Sequence, residues 1–137
     1  MINDRMPEYT VDRCVAVLNR HKKAINGANV LILGVAYKQD IDDYRESPAL
    51  RVIEEFKKRG AVVSYFDPWV AKYKYKGEMH QGLPELNAEA VEAADIVVIT
   101  TAHSNVDYEF VQAHAKAVFD TKNVMKHVTK RENVEVL

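Results

Sequence analysis

Tyr37, Lys38 and Arg45 fall within one short segment, Val35 to Glu46, together with Asp40, Asp42, Asp43 and Glu46. Such side chains can handle an anion that carries a ring. Lysine acts as a point charge toward a phosphate, arginine grips two phosphate oxygens through its planar fork, and a tyrosine face accepts a stacked base. Ser47-Pro48 follows directly and reads as an N-cap and a first-turn proline. The segment therefore runs into a helix start, whose free N–H groups and positive dipole end favour anions. Together these residues suggest a nucleotide. The alternative, from the residues alone, is that Lys38 and Arg45 pair with the four acids on a solvated loop.

Other reactive residues are scattered. His21, His80, His103, His114 and His127 have neither i, i+4 pairing nor metal-ligand spacing, which predicts no metal site. His103, after Thr100-Thr101, could line a cleft or be satisfied by backbone or water. Asp67 sits where a ribose-binding acid could stand, although Asp67-Pro68 also reads as a turn that caps backbone N–H groups. Cys14, on an apolar stripe, reads as a packed helix cysteine. Trp69, Lys72, Tyr73, Lys74, Tyr75 and Lys76 form a basic aromatic patch that could serve as a single-stranded nucleic-acid platform or be a solvated connection with a few packed rings.

Composition sets the frame for these residues. The chain has 137 residues, 47% of them hydrophobic and 28% charged, with a net charge of -1. That is ordinary globular usage for one domain, with no general attraction to nucleic acid or anionic lipid. One cysteine excludes an internal disulfide framework. No membrane-spanning run and no secretory signal are evident, so a cytoplasmic, membrane-free protein is expected.

The elements that must position the loop follow from periodicity. Val11, Cys14, Val15 and Leu18 predict an amphipathic helix from Tyr9 to Lys23, ended by Asn26-Gly27. Val30 to Leu33 is an unbroken apolar run of strand length, closed by Gly34. A helix is expected from Ser47 to Gly60, with Glu54–Lys58 and Glu55–Arg59 pairs, followed by a strand from Ala61 to Phe66. Trp69 to Gly82 shows no clean period and is read as irregular. A short helix at Asn87–Ala94, a strand at Ile96–Thr101, a helix at Asp107–His114 and a strand at Ala117–Phe119 complete the series, and the tail from His127 could add an edge strand. The alternation predicts an α/β, Rossmann-like doubly wound parallel sheet preceded by an amphipathic helix, with ligands bound beyond the carboxyl ends of the strands. The twelve residues from Val35 to Glu46 are long for such a strand-to-helix turn, which usually takes about 2 to 6. Gly34 is the only glycine of the turn, so the G-x-G-x-x-G dinucleotide fingerprint is absent.

The string Gly34-Val35-Ala36-Tyr37-Lys38-Gln39-Asp40-Ile41-Asp42-Asp43-Tyr44-Arg45-Glu46-Ser47-Pro48-Ala49-Leu50 closely resembles the signature of the C-terminal domain of the UDP-glucose/GDP-mannose dehydrogenase family. Asn3, Met6-Pro7, Tyr65-Phe66-Asp67-Pro68, Ala94-Asp95, Thr101-Ala102-His103 and Asp120-Thr121-Lys122-Asn123 extend the likeness over nearly the whole chain, in family order. The resemblance implies that residues 1–26 are the end of a central dimerisation helix and residues 27–137 the nucleotide-sugar-binding domain of a homodimeric enzyme. It implies an NAD-dependent, four-electron oxidation of the sugar 6-hydroxyl to a carboxylate. The catalytic cysteine of that reaction and most of the NAD site belong to an N-terminal part upstream of this region, so no catalytic residue is expected here. By resemblance, Tyr37 and Lys38 contact a UDP-sugar or GDP-mannose, and Arg45 reaches toward the NAD. Lys122 replaces the arginine common in the family's Asp-x-Arg-Asn string, keeping the charge and losing the fork. The wording of the loop is most similar to bacterial or archaeal members that act on UDP-sugars. A free-standing nucleotide-binding or regulatory module with this fold, and a generic α/β interaction domain, are the other readings. A first helix left without its N-terminal partner would favour self-association through its apolar stripe.

Overall fold

The computed structural model describes residues 6–137; Asn3 and the rest of the opening residues lie outside that range. Helix α1 (Met6–Arg20) begins three residues before the expected start and stops three before the expected end. Lys22 takes a left-handed φ of 59° and Lys23 N–H returns to the Leu18 carbonyl, so the chain turns before Asn26-Gly27 is reached. Val11, Cys14 and Leu18 are completely buried and Val17 nearly so. They pack onto α2 (Pro48–Lys58) and the sheet. The apolar stripe of α1 is thus covered within the chain, and it is not the self-association surface that the sequence suggested.

Strands β1 (Asn29–Leu33) and β5 (Ile96–Ile99) are the apolar runs, and their core residues are at most 2% exposed. Burying each such side chain contributes about 1.5–3 kcal/mol, which fixes these two strands at the centre. With β2 (Val62–Phe66), β6 (Val118–Asp120) and β7 (Val134–Val136) they form a five-stranded, all-parallel sheet in the order β2-β1-β5-β6-β7. The period of two divides the core. Val30, Ile32, Ile96, Val98 and Phe119 face α1 and α2, whereas Leu31, Leu33, Val97, Ile99 and Val118 face the opposite layer. That layer holds α3 (Ala88–Ala93), α4 (Tyr108–His114) and a 3-10 turn at Val124–His127. The sheet is therefore doubly wound, as expected, and the tail does add an edge strand.

One segment differs from the sequence reading. Trp69 to Gly82 contains an antiparallel hairpin, β3 (Lys72–Tyr75) with β4 (Glu78–Gln81), closed by Lys76-Gly77 at φ 51° and 82°. Two positive φ values match the twist of a two-residue hairpin turn. Tyr73, 3% exposed, packs among Tyr44, Tyr65 and His80, and Tyr75 donates to Glu54. The two tyrosine rings of the basic aromatic patch are thus spent on packing, while Trp69 stays exposed. Glu54 bonds Lys76 Nζ at 2.6 Å, not Lys58, while the expected Arg59–Glu55 pair forms at 2.9 Å.

Helix α1 and strand β7 are clasped together. Glu135 on β7 accepts from Arg13 of α1 at 3.1 Å and also pairs with Arg20. Arg13 lies over the Phe119 ring at 5.2 Å.

Candidate functional site

The chain leaves β1, winds out to β2 and returns on the other side of β1 as β5, so the topological switch point lies beyond Leu33 and Ile99. Here Gly34, at φ 95°, faces Thr101 so closely that an added β-carbon would lie 2.3 Å from Thr101 Cβ. A dinucleotide pyrophosphate needs open backbone at this turn, and the Gly34 face is filled, so the turn does not fit NAD.

The long loop instead folds as a tied unit. Val35 and Ala36 N–H donate to Asp67 Oδ2 at 2.8 and 3.1 Å, and the Ala36 carbonyl accepts from Ser47 Oγ and Thr101 Oγ1. Tyr37 N–H donates to the Asp43 carbonyl at 2.6 Å, closing the loop on itself. Asp40, at φ 61°, accepts from Ser104 N–H and Ser104 Oγ, each at 2.8 Å, and its N–H donates to His103 Nδ1 at 2.7 Å. Those two Ser104 bonds hold the Asp40 carboxyl below its ordinary range. Asp67 also caps the N–H groups of Trp69 and Val70 through Oδ1, the turn role read from the sequence. His103, 1% exposed, is satisfied by Asp67 and by backbone and so lines no cleft.

What remains open is a cavity of about 490 Å³ beyond the carboxyl ends of β1, β5 and β6, whose lining includes Tyr37, Lys122, Arg51, Thr100 and Thr121. The start of α2, Pro48 and Ala49, forms one wall, and Met6, Pro7, Val52 and Leu137 supply apolar surface. Ser47 Oγ caps Ala49 N–H, fixing the axis of α2 and the positive end of its dipole against the cavity. Tyr37, 52% exposed, offers a ring face, and Lys122, exposed beside it, offers a cation. The Lys122 backbone is held by Asp120, whose two oxygens accept from Lys122 N–H and Met125 N–H. A charged group flanked by an aromatic face and an apolar wall suits a phosphorylated ring compound. Among the described residues of the lining, Glu46 is the one acid beside the cations Arg51 and Lys122. Cys14 lies elsewhere, inside the α1 core, where burial pushes its thiol pKa up.

Of the residues expected from sequence, Tyr37 and Lys122 meet in this cavity. Lys38 is exposed and makes no hydrogen bond or ion pair among the described residues. Arg45 is exposed and outside the lining of that cavity, sharing a shallow adjoining depression with Tyr37, Asp43 and Glu46; its Nε pairs with Asp43 at 3.1 Å, which also holds the Asp43 carboxyl below its ordinary range. The acids of the loop therefore do engage Arg45 and leave Lys38 alone. Thr100, Thr121 and Arg51 were not singled out by sequence. The strand-end position of the two threonines was the available signal. Among the described residues, no cluster of His, Cys, Asp or Glu could hold a metal ion, and no helix is long and apolar enough to cross a membrane.

Comparison with known proteins adds an independent view of the same region. Residues 31–127 match the UDP binding domain of the UDP-glucose/GDP-mannose dehydrogenase family. UDP-N-acetyl-D-mannosamine dehydrogenases of Methanocaldococcus jannaschii and Methanococcus maripaludis strain S2 are 34% and 33% identical to the chain over 98% and 92% of its length. UDP-glucose 6-dehydrogenase of Rickettsia bellii is 28% identical over 90%. The chain spans 31%, 29% and 30% of these three relatives. The structure of the Pyrococcus horikoshii UDP-D-ManNAc dehydrogenase superposes with a TM-score of 0.79 at 28% identity, over 98% of this chain and 31% of that one.

Proposed function

The chain belongs to the UDP-glucose/GDP-mannose dehydrogenase family, of which it carries the UDP binding domain, and from that premise we propose that it is the nucleotide-sugar-binding part of an NAD-dependent 6-dehydrogenase. The substrate is UDP-glucose or a UDP-N-acetylhexosamine, whose sugar 6-hydroxyl the complete enzyme oxidises to a carboxylate. The named activities of the relatives support this range of sugars. The observation that carries the reading is the cavity that sets Tyr37 and Lys122 against the capped start of α2.

In this reading the nucleobase packs on the Tyr37 ring, and the pyrophosphate faces Lys122 and the dipole of α2. Lys38, exposed at the loop crest, contacts the substrate on the side of the reacting sugar. NAD accepts the hydrides when bound, and it is held by an N-terminal domain outside this chain. The contribution of this chain is Arg45, presented from the rim. Helix α1 belongs to the end of a central helix through which two copies of the enzyme associate, by a face other than the stripe packed on α2. Water is excluded when the N-terminal domain closes onto the nucleotide and the tied loop. The complete enzyme works in the cytoplasm.

Isothermal titration of the 137-residue chain with UDP tests the reading. We expect measurable UDP affinity and no NAD reduction. An intact fold with no affinity for UDP or GDP at millimolar ligand would overturn it.

A further inference from the structure

His103 touches neither the cavity nor solvent, yet it stands between the two ends of the tied loop. A backbone N–H only donates, so the Asp40 N–H at 2.7 Å requires a bare Nδ1, and the ring proton sits on Nε2, which faces Asp67 Oδ2 at 2.9 Å. The same Asp67 oxygen receives Val35 and Ala36 N–H at the root of the loop. One carboxylate and one imidazole thus fix the root and the crest of the loop relative to the ends of β2 and β5. The Tyr108 hydroxyl holds the backbone of His103 through its carbonyl at 2.8 Å. Ser104, the next residue, grips the Asp40 carboxylate.

Asp40 follows Lys38 by two positions and has a left-handed φ of 61°, a conformation that a non-glycine residue keeps only when its surroundings hold it. We propose that His103 is a positioning residue for nucleotide binding: its unprotonated Nδ1 tethers Asp40 and so holds Tyr37 and Lys38 in their binding geometry before ligand arrives. The tether removes an ordering cost that the ligand would otherwise meet. The inference rests on the proposed roles of Tyr37 and Lys38 but is separable from them.

Two substitutions split the contacts of the ring. In H103Q the side-chain amide reaches Asp67 as a donor and leaves Asp40 N–H without an acceptor. In H103N the shorter amide oxygen accepts from Asp40 N–H and leaves Asp67 one donor short. Two measurements on the 137-residue chain read them: hydrogen exchange of the Asp40 amide without ligand, and calorimetric titration with UDP. The tether predicts faster exchange and about tenfold weaker UDP binding for H103Q, with both near wild type for H103N even though H103N is the less stable protein. A purely structural role predicts that affinity follows stability, with H103N the weaker binder, and that result would sink the proposal. So would an Asp40 amide as well protected in H103Q as in wild type. If the wild-type chain does not bind UDP, the functional reading fails and the exchange pattern alone decides the tether. Should H103Q not fold, nitrogen NMR of the wild-type ring decides: without ligand an unprotonated Nδ1 and a protonated Nε2 are expected at His103, and a proton on Nδ1 would overturn the tether.

Discussion

Gly34 and Thr101 stand back to face at the carboxyl ends of β1 and β5, with room for a hydrogen and no room for a methyl group between them. This contact closes the turn in which related nucleotide folds seat a pyrophosphate, and it moves the open space of the domain to the start of α2.

Gly34→Ala should therefore be strongly destabilising. The residue needs a φ of 95°, and its β-carbon would meet Thr101 Cβ at 2.3 Å. A left-handed alanine and an overpacked contact together cost about 3 kcal/mol or more. Urea denaturation should show a lower midpoint with an unchanged slope.

The clasp between Glu135 and the arginines of α1 should give the fold an acid-sensitive edge. Burial raises the Glu135 pKa, but hydrogen bonds from Arg20 and Arg13 outweigh it and the net shift is downward from 4.5. A carboxyl whose folded pKa is depressed stabilises fully above its unfolded value and loses that contribution as pH falls through the folded value. Stability should accordingly decline below about pH 4.5. Glu135→Gln should cost about 1 kcal/mol near neutrality and flatten that decline, while the lowered Asp40, Asp43 and Glu54 groups keep a residual slope in the same window. Thermal denaturation between pH 3 and 7 reads the difference.

Lys122 separates charge from geometry in ligand binding. Lys122→Ala should weaken UDP about three- to tenfold with little change in stability, because the side chain is exposed. Lys122→Arg retains the charge and adds a bidentate fork, so its affinity should equal or exceed that of the wild type. Calorimetric titration at two salt concentrations would check both, since a charge contribution shrinks with ionic strength.

Cys14 should be inert while the chain is folded. Complete burial and the raised thiol pKa both withhold the thiolate. A disulfide reagent at pH 8 should leave the native protein unlabelled and react with one thiol per chain in concentrated urea. Rapid native labelling would mean that α1 opens from the core.

The parts of this fold that were legible in sequence are those written in a local pattern. The apolar runs of β1 and β5 admit one placement, and Ser47-Pro48 marks the start of α2 through its cap alone. The β3–β4 hairpin was missed although Lys72-Tyr73-Lys74-Tyr75 alternates strictly before Lys76-Gly77. Its inward residues are tyrosines rather than aliphatics, and their burial depends on Tyr44 and Tyr65 from distant segments. The site divides in the same way. The loop announced itself by length and charge, and Tyr37 and Lys122 do converge on one cavity. That Arg45 pairs with an acid of its own loop was one of the two sequence readings, and Asp43 stands only two residues away; that Asp67 and His103 anchor the loop follows from contacts across the sheet that no spacing encodes.

Trp69 gains a use from where the loop is tied. It is the only tryptophan of the chain, 46% exposed, with its backbone N–H on Asp67 Oδ1 at 2.8 Å and its side chain beside Asp40. The residue is thus fixed at one anchor of the loop while its indole stands by the other, and the intrinsic fluorescence of the unlabelled protein becomes an optical gauge of whether that loop is seated or sprung.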